Sequence, residues 1–300
     1  MRILKTKRLF GKYNIGETVA AYAFMLPAFV FIITFVIGPI VISFGYAFTD
    51  YYLLKPHDIH FIGFENFRYL FSDKIMWKAL FNTFQFIVMV IPLQVGTALA
   101  LALLVNKKIR FNLFFRISFF APVVMSLVVI SILWMTLLNP ESGLINTVLS
   151  SLGLPKQPFL ASTTQVMPTI VVVSAWQGAG YQMMIFLAGL KNIPAEYYEA
   201  AKIDGSNSWQ TFRNITLPCL KNVTIFIMIT TLIAAFKLIV QPMVMTGGGP
   251  KNSSLTIVFY IYQTGIRYRN VGYASAITLI FTLIVAAIVL LQRRLLREEG

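Results

Sequence analysis

Polar groups able to do chemistry are sparse in this 300-residue chain, and they recur at helical spacing. Ser174, Gln177, Gly178 and Tyr181 stand at i, i+3, i+4 and i+7 and share one helical face, with Trp176 beside them. Thr230, Ala234, Lys237 and Gln241 stand at i, i+4, i+7 and i+11, with Thr231 adjacent. Two such stripes on consecutive apolar segments suggest a lined cavity, whose chemistry would be non-covalent binding. The alternative is structural: Ser, Thr and Gly also let helices pack closely, and Lys237 either meets a bound molecule or reaches out to lipid headgroups.

Covalent and metal chemistry lack their residues. There is no Gly-x-Ser-x-Gly elbow, no His-Glu-x-x-His and no pair of carboxylates within an apolar segment. One cysteine, Cys219, forms no internal disulfide and no four-thiolate zinc site. His57 and His60, three apart in a loop, read as solvated side chains. The run from Gly247 to Ser253 lacks the Gly-Lys-Ser/Thr ending of a phosphate loop and reads as a turn.

The elements that must carry the two stripes are membrane helices. With 57% hydrophobic and 12% charged residues and a mean hydropathy of +0.74, the chain cannot cover a water-soluble surface. Uncharged stretches long enough to cross about 30 Å of hydrocarbon occur six times: Ala20 to Phe44, Ala79 to Val105, Ile117 to Leu138, Val166 to Leu190, Val223 to Met245 and Tyr273 to Leu291. Only Lys237 places a charge inside one of them. Leu255 to Ile266 is too short to span and is expected to lie against the bundle or dip partly in. Pro92, Pro122, Pro168 and Pro242 either kink these helices or start them.

Charge position sets the orientation. The segments on one side carry Arg2, Lys5, Lys7, Arg8 and Lys12, then Lys107, Lys108, Arg110 and Arg116, then Lys191, Lys202, Arg213 and Lys221, then Arg293, Arg294 and Arg297. These sixteen bases face eight on the other side, so both termini are predicted to be cytoplasmic. The net charge of +14 then needs no nucleic acid. The uncharged run from Thr18 to Thr49 is too long for a signal peptide and is expected to remain as a helix. The expected organisation is a basic segment over 1–19, a membrane domain over 20–291 and a cytoplasmic tail over 292–300.

One loop, 194–221, looks built for docking. Pro194 suits a helix first turn, Glu196 and Glu199 favour its positive end, Tyr197 to Ile203 continue it, and Gly205 ends it. Ser206 or Asn207 then caps a second short helix with an apolar stripe of Trp209, Phe212 and Ile215. A helix resting on anionic headgroups would be dominated by bases, whereas Glu196, Glu199 and Asp204 nearly balance Lys191, Lys202, Arg213 and Lys221. A protein partner fits better.

Within that loop, Glu199-Ala200-Ala201, three residues, Gly205, nine residues, Ile215, one residue and Leu217-Pro218 resembles the EAA loop of permease subunits of binding-protein-dependent ABC importers. Gly63 to Phe67, Asn139-Pro140 with Gly143 to Asn146, and Thr246 to Pro250 are similar to segments of that family's carbohydrate branch, and the resemblance covers roughly 15–297. It departs at Asn222, often proline in relatives, and at Val240, where many relatives have an acid. The resemblance implies an all-α membrane protein of the type I ABC importer permease fold with six transmembrane helices. It places Glu199, Ala200, Ala201, Asp204 and Gly205 against an ATPase, and Ser174, Gln177, Gly178, Tyr181, Thr231 and Lys237 along a path for a sugar or polyol. It further implies a second permease subunit in a heterodimer, two cytoplasmic ATPase subunits that bind ATP and Mg, and an extracytoplasmic solute-binding protein. This chain would bind no cofactor and catalyse no reaction, in a bacterial or archaeal cytoplasmic membrane. A secondary carrier, or a scaffold that transports nothing, are the alternatives, although neither internal repeats nor an ionisable coupling residue is evident.

Overall fold

The computed structural model describes residues 15–107 and 111–297, so the bases from Arg2 to Lys12, together with Lys108, Arg110 and the last three residues, lie outside the described residues. Among the described residues there are helices and loops but no strand, only two isolated bridges that pair Thr49 with Phe61 and Tyr52 with Asn270. The chain opens with a long rod. Helix α1 (Ile15–Ile32) passes through a π turn (Ile33–Ile37) into α2 (Gly38–Tyr46). The turn widens where Pro39, which has no N–H to give, follows Gly38, whose own N–H reaches back to the Ile33 carbonyl. Nearly all the side chains described along this rod are exposed, Phe24 at 87%, which requires lipid or another chain around it.

The scaffold proper begins after α3 (Glu65–Ser72) with α4 (Lys74–Asn106), whose 33 residues at about 1.5 Å each overreach the hydrocarbon at both ends. Its N-terminus is fixed by Asp73, whose carboxylate accepts from the Ile75 and Met76 amides at 2.9 and 3.2 Å. Helices α5 (Asn112–Val124) and α6 (Leu127–Leu137) are followed by a short α7 (Leu144–Ser151) and the central α8 (Val166–Lys191). Helix α8 packs along α4 because both present small residues at the contact: Ala98 and Ala102 on one, Ala179 on the other, each buried. Gly180 does the same toward α5, since a side chain there would overlap the Phe119 backbone.

Two expected spans are interrupted. The stretch expected as one helix from Ile117 to Leu138 turns by 101° between α5 and α6, with Pro122 inside the last turn of α5. The stretch expected from Val223 to Met245 is also broken. Helix α9 (Ala195–Ile203) and the short α10 (Ser208–Thr211) lead through a π turn (Phe212–Thr216) and α11 (Leu217–Cys219) into α12 (Lys221–Phe236), with a bend of 65°. Helix α12 stops at Phe236, and after Lys237 to Ile239 the chain restarts as α13 (Val240–Met245). Pro242 stands in the first turn of α13, where its missing N–H costs nothing. The Leu238 carbonyl freed by the break accepts the Thr256 hydroxyl at 2.6 Å. Four helices are thus long and apolar enough to cross alone, and six crossings result if each bent pair is one span.

Beyond α13 the Gly247-Gly248 turn adopts φ of 60° and 92°, as expected for a turn. Helix α4 holds the strand of chain that follows: Asn82 donates to the Asn252 and Leu255 carbonyls at 2.8 Å, and Lys78 to the Lys251 carbonyl at 2.6 Å. Helix α14 (Ile257–Tyr262) then lies against the bundle, burying Ile257, Phe259 and Tyr260, and α15 (Val271–Arg297) completes the fold. Tyr260 and Tyr273 both donate to the Asp73 carboxylate at 2.6 Å, so one buried acid ties α4, α14 and α15 together. His60 is exposed, with Nδ1 3.1 Å from Asp50 and Nε2 3.4 Å from Asp58.

Candidate functional site

Helical geometry brings the two stripes to one cavity of about 350 Å³ in the middle of the bundle. From α8 come Ser174, Gln177, Gly178 and Tyr181, and from the α12 side come Thr230, Thr231, Ala234 and Lys237. Gln241 joins them from α13, although the helix break at Lys237 means that it does not continue the α12 stripe. All six residues expected along a path therefore line the same space. Trp176 does not: it points to the opposite side of α8, edge-on to Trp134 at 5.5 Å. Two helical steps, about 200°, separate it from Ser174.

Two amides were missed by the sequence reading. Gln94 of α4 lines the cavity and lies over Gly178, where a side chain would overlap the Gln94 carboxamide. Gly178 is thus the gap that lets α4 put an amide into the site. Gln182, buried at the cavity wall, donates from Nε2 to the Thr231 hydroxyl at 2.5 Å and so links α8 to α12. Gln182 was detectable as i+8 from Ser174 on the stripe already identified. Gln94 sat as a single amide in an apolar run, with no stripe to mark it.

The unpaired groups define what the cavity can do. Among the described residues, Ser174 Oγ and Gln182 Oε1 are buried without a hydrogen-bond partner. Buried polar atoms without partners are costly, and both belong to residues of the cavity wall. Lys237, at the C-terminal end of α12, has an exposed side chain and no ion-pair partner among the described residues. No carboxylate lines the cavity. The arrangement offers one cation, several amides and hydroxyls, and the ring of Tyr181, suited to reversible binding of a polar molecule.

The loop expected to dock is a helix pair held by local bonds. Helix α9 ends in a Schellman motif: the Ser206 amide donates to the Ala201 carbonyl at 2.9 Å and the Gly205 amide to the Lys202 carbonyl at 3.2 Å, with Gly205 at φ +74°. Asn207 caps α10 in a reciprocal box with Gln210. Glu199, Ala200, Asp204 and Gly205 are exposed, while Ala201 is buried against the bundle and cannot meet a partner surface. Tyr198 meets the Thr216 hydroxyl at 3.2 Å and fixes the pair to the start of α12. Its outer surface shows Ile203 at 86% and Trp209 at 65% exposure, an apolar patch beside the acids.

Residues 93–298 match the family described as binding-protein-dependent transport system inner membrane component. Over 277 residues the chain is 35% identical to the probable ABC transporter permease protein YurN of Bacillus subtilis, covering 91% of this chain and 94% of that one. Over 287 residues it is 35% identical to the lactose transport system permease protein LacF of Rhizobium radiobacter, covering 94% and 95%. A chain of a bacterial alginate ABC transporter, solved in complex with an alginate pentasaccharide-bound periplasmic protein, superposes with a TM-score of 0.82 at 24% identity over 95% of this chain and 96% of the other. That last likeness is one of fold.

Proposed function

The chain belongs to the family of binding-protein-dependent transport system inner membrane components, and from that premise we propose that it is a membrane-spanning subunit of an ATP-driven importer of sugars or related polyols. The observation that carries this reading is the continuity of α8. Its middle lines the polar cavity, and its end at Lys191 passes through Asn192 to Pro194 directly into α9, the exposed docking helix. A push on α9 is therefore delivered to the cavity wall through a three-residue link and the single helix α8. The lactose permease relative supports the sugar class.

In this reading Glu199, Ala200, Asp204 and Gly205 meet a cleft of a cytoplasmic ATPase, with Ala201 seating the helix from behind. Two such ATPase subunits bind ATP and Mg, a second permease subunit closes the cavity from its open side, and an extracytoplasmic solute-binding protein delivers the sugar. This subunit performs no hydrolysis itself. ATP-driven closure of the ATPase pair moves α9, and α8 and α12 reorient around Ser174, Gln177, Gly178, Tyr181, Thr231 and Lys237 so that the site faces first the binding protein and then the cytoplasm. The test is affinity purification of the tagged chain from native membrane, paired with uptake after deletion of the co-purified ATPase. Retention of an ATPase and a second permease, with uptake lost on deletion, is the expected result. Uptake that survives deletion would make the chain a secondary carrier.

A further inference from the structure

We propose that the solute passing through the central cavity is an acidic saccharide, a sugar carrying a carboxylate or sulfonate whose anion pairs with Lys237. The proposal rests on the reading of this cavity as the solute path. Among the described residues, Lys237 is the only cation on the cavity wall, and no acid lines it. Val240, at the start of α13, also lines the cavity and brings an isopropyl group and no charge. The carbonyl end of α12 contributes a partial negative charge of about half an electron at most. That is less than one full counter-charge, and no ion-pair partner for Nζ is found among the described residues.

Exposed at the cavity among apolar helices, the Lys237 ammonium stands where charge is rare in membrane proteins and usually serves function. It is retained with least penalty where the anion arrives with the cargo. The remaining wall excludes a bare inorganic anion as the main guest. Such ions are usually held by clustered Arg and Lys or by converging backbone N–H groups, whereas here a single cation shares the wall with the side chains of Ser174, Gln94, Gln177 and Gln241 and the Tyr181 ring. The carboxamides of Gln94, Gln177 and Gln241, which line the cavity, both donate to and accept from hydroxyls on the guest. One charge plus hydroxyl donors plus an apolar ring face is the chemistry of an acidic sugar.

The experiment uses the intact complex purified from its own membrane into nanodiscs, without the binding protein, and reads binding by saturation-transfer NMR. The probes are three pairs of disaccharides matched in stereochemistry: digalacturonate with digalactose, diglucuronate with diglucose, and dimannuronate with dimannose. At least one acidic member should bind about tenfold more tightly than its neutral counterpart. That preference should shrink as salt rises from about 0.05 M to about 0.5 M. Lys237→Gln should remove the preference, and Lys237→Arg should keep most of it. If the Gln variant fails to assemble, the Arg variant and the salt series on the unaltered complex decide. Equal binding of acidic and neutral members, or equal weakening of both by Lys237→Gln, would overturn the acidic class and assign Lys237 to packing or to an acid on another subunit. Failure of all six sugars to bind would overturn the solute-path reading, and the proposal with it.

Discussion

At the residue scale, one end of the bundle depends on Asp73, which ties α4, α14 and α15 together. Burial opposes its charge, yet hydrogen bonds from Tyr260 and Tyr273, with the Met76 and Ile75 amides, overcome that cost and hold its carboxyl below the ordinary 3.8. The same contact, with burial, pushes the Tyr260 hydroxyl upward, so it stays a donor. A depressed folded value means the stabilisation is present in full above the ordinary carboxylate value and is lost as pH falls through the lowered one. Melting of the detergent-purified chain should therefore drop as pH is lowered below about 4, and Asp73→Asn should flatten that dependence while costing on the order of 2 kcal/mol. A variant that melts like the parent at neutral pH would remove Asp73 from this role.

Two neighbouring glycines separate site from scaffold in a single comparison. Gly178→Ala meets the movable end of Gln94, whereas Gly180→Ala meets the fixed Phe119 backbone. The first should alter uptake KM with melting nearly unchanged. The second should destabilise by about 1–3 kcal/mol. The cavity stripe on α8 was legible because a period of 3.6 residues is written in the sequence itself. Asp73 was not, since its partners lie 187 and 200 positions away.

At the element scale, hydropathy identified where apolar segments lie but not where they bend. A window over Ile117 to Leu138 sums composition and contains no direction, so the 101° turn after Pro122 was invisible to it. The stop at Phe236 was equally hidden, because the Leu238 carbonyl beyond it is satisfied by Thr256, 18 positions from Leu238. The docking helices were the reverse case. Caps and a helix-ending glycine are local signals, and the structure places them at Asn207 and Gly205 as the spacing indicated. Ala201 differs because sequence gives a helix its period but not which side the bundle occupies. Exposed Glu199 carries the prediction for this element: Glu199→Lys should leave the chain inserted and assembled, yet separate ATP hydrolysis from uptake, lowering uptake at least tenfold while hydrolysis continues. Proteoliposome assays of both activities decide it, and normal uptake would exclude this face from coupling.

At the scale of the whole molecule, the number of crossings decides which side of the membrane the docking helices occupy. If both bent pairs cross, the chain passes six times and the α9–α10 pair shares a side with the N-terminus. If α5 and α6 instead enter and leave on one face, α8 reverses and the docking pair moves to the opposite side, out of reach of any cytoplasmic ATPase. Six crossings agree with the sixteen-to-eight distribution of bases, and with the need to satisfy every backbone group in lipid, which a short exposed re-entrant pair would strain. Labelling separates the two. With exposed Cys219 first changed to Ala, single cysteines at Lys156 and Lys202, both exposed, are challenged with a membrane-impermeant maleimide. Six crossings predict that Lys156→Cys reacts in intact cells and Lys202→Cys only after permeabilisation. The reverse pattern would place the docking surface outside the cell and end the importer mechanism, because α9 could then receive no push from ATP.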